Sequence, residues 1–114
     1  MINHKNIAKE KKNLSLVVND NIFIRIISSK DVSLRYLNWL KNYEIMKFTE
    51  QNKKKHTIKL TKVFVEEKLI SNYDLLFGIF FKNEHIGNTK LGPINWRKKE
   101  AQVSFFLGEK IFWG

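Results

Sequence analysis

The chain has 114 residues, with 21 lysines and arginines against 11 aspartates and glutamates and a formal net charge of +10. That length bounds it to one domain or part of one, and a hydrophobic content of 43% with nine phenylalanines and three tryptophans excludes a disordered chain. The absence of cysteine excludes disulfides, a thiol nucleophile and thiolate metal sites, and fits a reducing compartment.

Residues 1–13 are polar and lysine-rich and read as a flexible, solvated basic arm ahead of a single domain over 14–114. Residues 14–18 and 22–27 are rich in β-branched side chains and read as strands around a turn of Asn19, Asp20 and Asn21. Ser28 with Asp31 three residues on is a capping pair before an apolar run. Val32, Tyr36, Leu37, Trp39, Leu40 and Tyr43 then recur at helical spacing, which predicts a helix over 30–42. A short second helix follows over 44–49, then a basic loop from Gln51 to His56. Thr57 caps a helix to about residue 70, whose stripe of Val63, Phe64, Val65, Leu69 and Ile70 is apolar but imperfect. Three strands close the chain. Residues 75–82 are continuously apolar and so central, and 85–96 are kinked by Gly87, Gly92 and Pro93. In 100–107, Ala101, Val103 and Phe105 alternate with Gln102, Ser104 and Phe106. Short loops make these three an antiparallel meander. The fold class is α+β, a mainly antiparallel sheet with two to three helices.

A charge of +10 attracts polyanions and anionic small molecules, although the abundance of Lys, Asn and Ile also matches an AT-rich coding bias that raises surface lysine without function. The run Lys53, Lys54, Lys55, His56 reads either as a solvated face or as an attractor for an anionic acceptor. No aromatics interleave with it as stacking on nucleic acid requires, so nucleic acid is not the expected partner. His4, His56 and His85 lack metal-ligand spacing and read as surface residues, so no metal is expected. The longest apolar run, 75–81, is far short of the ~20 residues a membrane helix needs. The N-terminus has no apolar signal region, and a cytoplasmic protein with no membrane partner is expected.

The sequence from Asn83 through Glu84, His85, Ile86 and Gly87 to Trp96, and then from Ala101 through Leu107, Gly108, Glu109, Lys110, Ile111, Phe112 and Trp113 to Gly114, resembles the GNAT superfamily of N-acetyltransferases. The likeness is to the branch of ribosomal-protein and amino-sugar N-acetyltransferases. There a strand bearing Ile-Gly leads to a strand ending Ile-Gly-(Glu/Asp)-Lys-x-(Tyr/Phe)-Trp-Gly, followed by Lys-Gly-(Tyr/Ile)-(Gly/Ala)-Thr-Glu-Ala. The resemblance covers about residues 22–114 and places the chain as the N-terminal portion of that fold, lacking its C-terminal half.

The resemblance implies acetyl-CoA as co-substrate and a small-molecule or protein amine as acceptor. In the family the pantetheine arm pairs with the backbone of the strand that ends here at Phe106, Leu107 and Gly108, as an added strand would. The pyrophosphate sits on a glycine loop at a helix N-terminus. Trp113 matches the first position of that loop and Gly114 its second, and Trp113 is equally readable as a core aromatic. Relatives often carry an acid where this chain has Gln102, which cannot serve as a base, and Glu100 nearby reads as a solvated turn residue. Asn95 occupies a position where the branch often has asparagine, and is either a substrate contact or a turn former. The resemblance thus assigns no catalytic acid or base.

The sequence therefore reads as an acetyl-CoA-dependent N-acetyltransferase cut at the start of its cofactor loop, inactive as 114 residues and binding acetyl-CoA weakly or not at all. Two alternatives stand beside it. One is a small basic binding protein for nucleic acid or an acidic partner. The other is a half-domain completed by oligomerisation, for instance as a homodimer.

Overall fold

The computed structural model describes residues 7–47, 49 and 54–113. Five strands lie in one sheet in chain order, each antiparallel to the next: β1 Ser15–Val17, β2 Ile22–Ile26, β3 Leu75–Phe81, β4 Glu84–Asn95 and β5 Glu100–Leu107. The helices are α1 Ile7–Glu10, α2 Leu34–Lys41, α3 Tyr43–Met46 and α4 Ile58–Ile70, two of them single turns. This is the expected α+β class.

Turn chemistry sets the strand ends. Asn19 Oδ1 accepts from the amides of Asn21 at 2.8 Å and Ile22 at 2.9 Å, folding β1 back onto β2. Lys82 and Asn83 both hold positive φ, 47° and 69°, the geometry of a two-residue hairpin loop whose twist matches the flanking strands. β4 is kinked where the sequence places Gly92 and Pro93: its register against β5 shifts between Leu91 and Ile94. Gly92 has φ 149° and lies so close to Asp74 that a Cβ would meet its Oδ1 at 2.4 Å, so only glycine fits. The ladder with β3 also shifts beside Gly87, which stands opposite Ile79 while His85 stands opposite Phe80, so Ile86 is an extra residue on β4; against β5, Gly87 pairs with Leu107.

The predicted helix over 30–42 is two pieces. Ser28 and Asp31 form the capping box, but on a short 3-10 turn, Ser29–Asp31. Ser33 then caps α2 by accepting from the Tyr36 amide at 3.1 Å. A capping residue is extended (Ser33 has φ −127°, ψ 171°), so a second cap breaks the run that the first one starts. The buried face of α2 is Tyr36, Leu37, Trp39 and Leu40, while Tyr43 is exposed. Thr57 caps α4 as expected. Val65 is fully buried on that helix, whereas Val63 and Ile70 face solvent.

Two clusters flank the sheet. Ile27, Tyr36, Trp39, Leu40, Met46, Val65, Leu76 and Phe80 join the helices to one face. Ile7, Ile26 and Leu75, backed by Leu14, Leu69, Phe77 and Leu91, form a second cluster. Strand alternation turns Leu75 and Phe77 to the opposite face from Leu76 and Phe80.

Residues 7–13 are not a solvated arm. Ile7 is buried, and the Lys11 side chain is fully enclosed. Its Nζ donates to the carbonyls of Lys68 at 2.5 Å, Ser71 at 2.6 Å and Asp74 at 2.8 Å. The end of α4 leaves carbonyls without helical partners, and the ammonium supplies three donors to this group. Local polarity suggested solvent, but these backbone acceptors draw the lysine inward.

Candidate active site

Cross-strand pairing assembles the floor of a cleft. Gly78, Asn88 and Phe106 lie abreast across β3, β4 and β5, and Leu76, Lys90 and Ser104 form the next row. Both rows share the face that carries Phe80 and the helices. Gln102 extends this face toward the start of β5. Tyr36 and Leu40 of α2 and Leu60, Thr61 and Phe64 of α4 supply the walls, and Lys54, Lys55 and His56 reach in from the segment before α4. The cleft is half open to solvent, and its volume is about 570 Å³, within the roughly 300–1,000 Å³ of small-molecule sites. Among the described residues, no carboxylate lines it.

Asn88 is the polar centre of the floor and is 3% exposed. Its Oδ1 lies 2.6 Å from His85 Nε2, and its side chain also bonds Tyr36. Because a carboxamide oxygen only accepts, the His85 ring proton sits on Nε2. His85 is not the surface residue its sequence setting suggests. Its ring stacks on Phe80 with centroids 5.0 Å apart and meets Tyr36 and Trp39 edge-on at 5.6 and 5.0 Å. Burial lowers its pKa, against the opposing pull of the Asn88 bond. Burial also raises the Tyr36 phenol well above its ordinary value, although the Asn88 bond works the other way. The Asn88 row of the floor is therefore neutral, with Lys90 in the next row and Lys54, Lys55 and His56 at the side.

Among the described residues no strand pairs with the far edge of β5, the last strand in the order. The Gly108 amide donates to the Ile86 carbonyl at 2.7 Å. In an antiparallel ladder this fixes Gly108, Phe106 and Ser104 as the residues whose backbone groups face β4. Leu107, Phe105 and Val103 consequently turn theirs outward. The Leu107 carbonyl does point outward, where it accepts from Trp113 Nε1 at 2.8 Å.

The residues singled out from sequence divide accordingly. Phe106 and Gln102 line the cleft. Leu107 presents its backbone at the free edge, whereas Gly108 is buried beneath the Trp39 ring and bonded inward. Trp113 is not a core aromatic; it is 42% exposed and lies against the edge through its indole N–H. Gly114 and Lys53 lie outside the described residues. Asn95 is exposed at the end of β4, where its Oδ1 accepts from the Lys98 amide at 3.1 Å, and it does not reach the cleft. Sequence reading did not single out Asn88 and Lys90 as site residues. Their spacing of two within a strand puts both on one face, a signal that was present. Their convergence with Tyr36 and Lys54 depends on tertiary folding.

Residues 24–112 match the family model of the acetyltransferase (GNAT) domain. No curated protein matches the chain. Among solved structures, RimL, a ribosomal L7/L12 alpha-N-protein acetyltransferase in complex with coenzyme A, superposes with a TM-score of 0.75 at 20% identity. That alignment covers 89% of this chain and 59% of RimL. An acetyltransferase from Salmonella typhimurium that modifies the N-terminal serine of L7/L12 gives a TM-score of 0.72 at 17% identity, with the same coverages of 89% and 59%. The microcin C7 self-immunity acetyltransferase MccE, in complex with acetyl-CoA and AMP, gives 0.67 at 24% identity, covering 85% of this chain and 56% of MccE. At these identities the likeness is one of fold, and the chain spans less than two thirds of each relative.

Proposed function

The chain belongs to the GNAT acetyltransferase family, and we propose that it carries the cofactor-pairing edge and the acceptor cleft of an acetyl-CoA-dependent N-acetyltransferase. The acceptor is a primary amine of a small molecule, an amino sugar or a protein. The observation that carries this reading is the open edge of β5 running directly beside the cleft. Pantetheine amides added as a further strand would meet the outward backbone groups of Val103, Phe105 and Leu107. Phe106 then contributes packing rather than hydrogen bonds, and Gly108 stays beneath Trp39, bonded to β4. With the pyrophosphate toward Trp113, the thioester reaches the Val103 end, beside Gln102.

The chemistry is attack of the amine lone pair on the thioester carbon and cleavage of its C–S bond, the acetyl group passing to nitrogen and the amine proton passing through solvent to the departing coenzyme A thiolate. Held beside the thioester, the amine gains the advantage of orientation. No carboxylate of the described residues lines the cleft to take the proton. Lys54, Lys55 and Lys90 instead disfavour a protonated ammonium in their midst, which helps the acceptor enter as the free amine. Two of the structures that superpose on this chain, RimL and MccE, are described with coenzyme A or acetyl-CoA, which supports the cofactor assignment.

For the chain as given, acetyl-CoA affinity should be millimolar or weaker, because no described residues form a glycine loop for the pyrophosphate. A 15N-labelled sample titrated with acetyl-CoA checks both statements. Shifts confined to the amides of Val103, Phe105, Leu107 and their neighbours are expected. Saturation at micromolar ligand contradicts the weak binding, and shifts that avoid β5 contradict the pairing edge.

A second reading rests on the same edge. Val103 and Phe105 are 69% and 68% exposed, and an open strand with exposed apolar side chains pairs readily with another. A half-domain completed by a second copy would sediment as a dimer at micromolar concentration, and a monomer there excludes it.

A further inference from the structure

We propose that the Tyr36 hydroxyl determines which amines the cleft accepts: held by Asn88 and His85, it donates a hydrogen bond to a carbonyl or hydroxyl oxygen on the body of the acceptor. This rests on the acceptor role assigned to the cleft above. The three side chains form a relay with one direction. Asn88 Oδ1 lies 2.6 Å from His85 Nε2. A carboxamide oxygen only accepts and its nitrogen only donates. His85 Nε2–H therefore donates to Oδ1, and Asn88 Nδ2 donates to the Tyr36 hydroxyl oxygen. That bond pulls the phenol pKa down, the sign expected of a donor. Among the described residues, Asn88 is the only hydrogen-bond partner of this hydroxyl. The oxygen thus accepts within the protein, and its own proton is left for a ligand.

The surroundings fit that role. Tyr36 and Asn88 are 2% and 3% exposed, and both border the cleft. The Tyr36 ring stacks on Trp39 at 5.9 Å and meets His85 edge-on at 5.6 Å. The donor is therefore fixed before a ligand arrives, which reduces the ordering cost of binding. Burial keeps the phenol protonated at neutral pH, so Tyr36 serves as a donor and not as a base. His85 Nδ1 is buried without a partner, and with the ring proton on Nε2 it carries only a lone pair. Phe64 and Phe106 give the body of the ligand apolar walls. A network that served the fold alone would end on an acceptor within the protein. This one ends on a donor at the cleft.

The test uses the 114-residue chain with para-aminomethylbenzamide as probe. Para-isopropylbenzylamine has the same shape without the carbonyl and serves as comparison. Amide shifts and calorimetry give both affinities, and their ratio isolates the carbonyl. Tyr36→Phe should lower the ratio in favour of the benzamide by roughly threefold to tenfold, the equivalent of one hydrogen bond. Asn88→Asp should lower it as far although the hydroxyl remains, because a carboxylate only accepts and takes the Tyr36 proton for itself. Circular dichroism confirms that each variant folds. In the native chain without ligand, the ring nitrogen shifts of His85 should show the proton on Nε2.

A proton on Nδ1 would mean that the carboxamide is turned over and Tyr36 donates to Asn88, which overturns the proposal without any variant. Absence of benzamide binding, or a ratio that Tyr36→Phe leaves unchanged, overturns the donor. A ratio lowered by Tyr36→Phe but not by Asn88→Asp overturns the relay behind it. None of these titrations contains acetyl-CoA, so the two readings fail separately. A lowered ratio without acetyl-CoA shifts on β5 retains the donor and removes the transferase reading. Acetyl-CoA shifts with an unchanged ratio do the reverse.

Discussion

Trp113 donates its indole N–H to the Leu107 carbonyl at 2.8 Å, on the side of β5 that no strand of the described residues covers. The indole thus occupies an acceptor that an added strand, or a pantetheine amide, would use. Trp113→Phe keeps an aromatic side chain and removes the donor. Since Trp113 is 42% exposed, the lost bond should cost the fold no more than about 1 kcal/mol. The vacated carbonyl should strengthen binding of coenzyme A by roughly twofold to tenfold, the equivalent of one hydrogen bond. Calorimetry on both proteins measures it, and unchanged or weaker binding would show that the ligand does not use the Leu107 carbonyl.

Lys11 links the first turns of the chain to the end of α4, and its removal leaves the carbonyls of Lys68, Ser71 and Asp74 without their shared donor. Lys11→Met fills the same space without hydrogen bonding and should cost about 2 kcal/mol at neutral pH. The pH dependence carries a second signature. Burial lowers the Lys11 pKa from 10.5 to about 8, against the pull of Asp74. Between those values the unfolded chain binds more protons than the folded one, so this group makes stability rise with pH. Above pH 10 Tyr36 acts oppositely, since burial holds its phenol protonated in the fold after the unfolded chain has lost the proton. Urea unfolding from pH 7 to 11 should show the rise in the native chain and a flatter profile in Lys11→Met. Identical profiles would remove Lys11 as the titrating group.

How far the molecule was legible follows from these residues. The last three strands, the hairpin loops and the Thr57 cap are written in local chemistry: alternation, turn residues and a capping threonine. Lys11 and His85 were not legible because their polarity suggested solvent, and only distant backbone acceptors and a ring cluster account for their burial. The cleft was half legible. Gln102 and the Lys54–Lys55 pair were visible as candidates, yet Lys90 and Asn88 join them only when β3, β4 and β5 align in register with α2 and α4 above. Asn95 could be read as substrate contact or turn former, and the fold places it at the turn.

Asp31 should set the acid limit of the fold near β2. It takes both guanidinium nitrogens of Arg25, at 2.7 and 3.0 Å, and the Ser28 amide at 2.9 Å. Burial alone would raise its pKa, but those bonds prevail and hold it below the ordinary 3.8. A lowered carboxylate contributes stability that is present above the unfolded value and is lost as pH falls through the folded one. Asp31→Asn should therefore destabilise the chain at pH 7 by about 1–3 kcal/mol, with the gap from the native protein closing below about pH 4. Thermal melts at pH 7 and pH 3 test this, and a gap of constant size would place the effect in packing instead.

Gly108 supports the Trp39 ring, and no other residue fits beneath it. A Cβ there would stand 2.2 Å from Trp39 Cδ2 and Cε2, far inside contact distance. Trp39 itself is only 4% exposed and meets Phe106 edge-on at 6.0 Å, so it has little room to retreat. Gly108→Ala should thus cost about 1–3 kcal/mol through overpacking. Because the displaced ring leans on Phe106, the disturbance should also reach the wall of the cleft. Replacing the indole by a smaller ring offers relief: in Trp39→Phe the added methyl group has space, so the double variant should lose less than the sum of the single losses. Urea denaturation of the four proteins forms the cycle. Additive losses would show that the two residues do not share this contact.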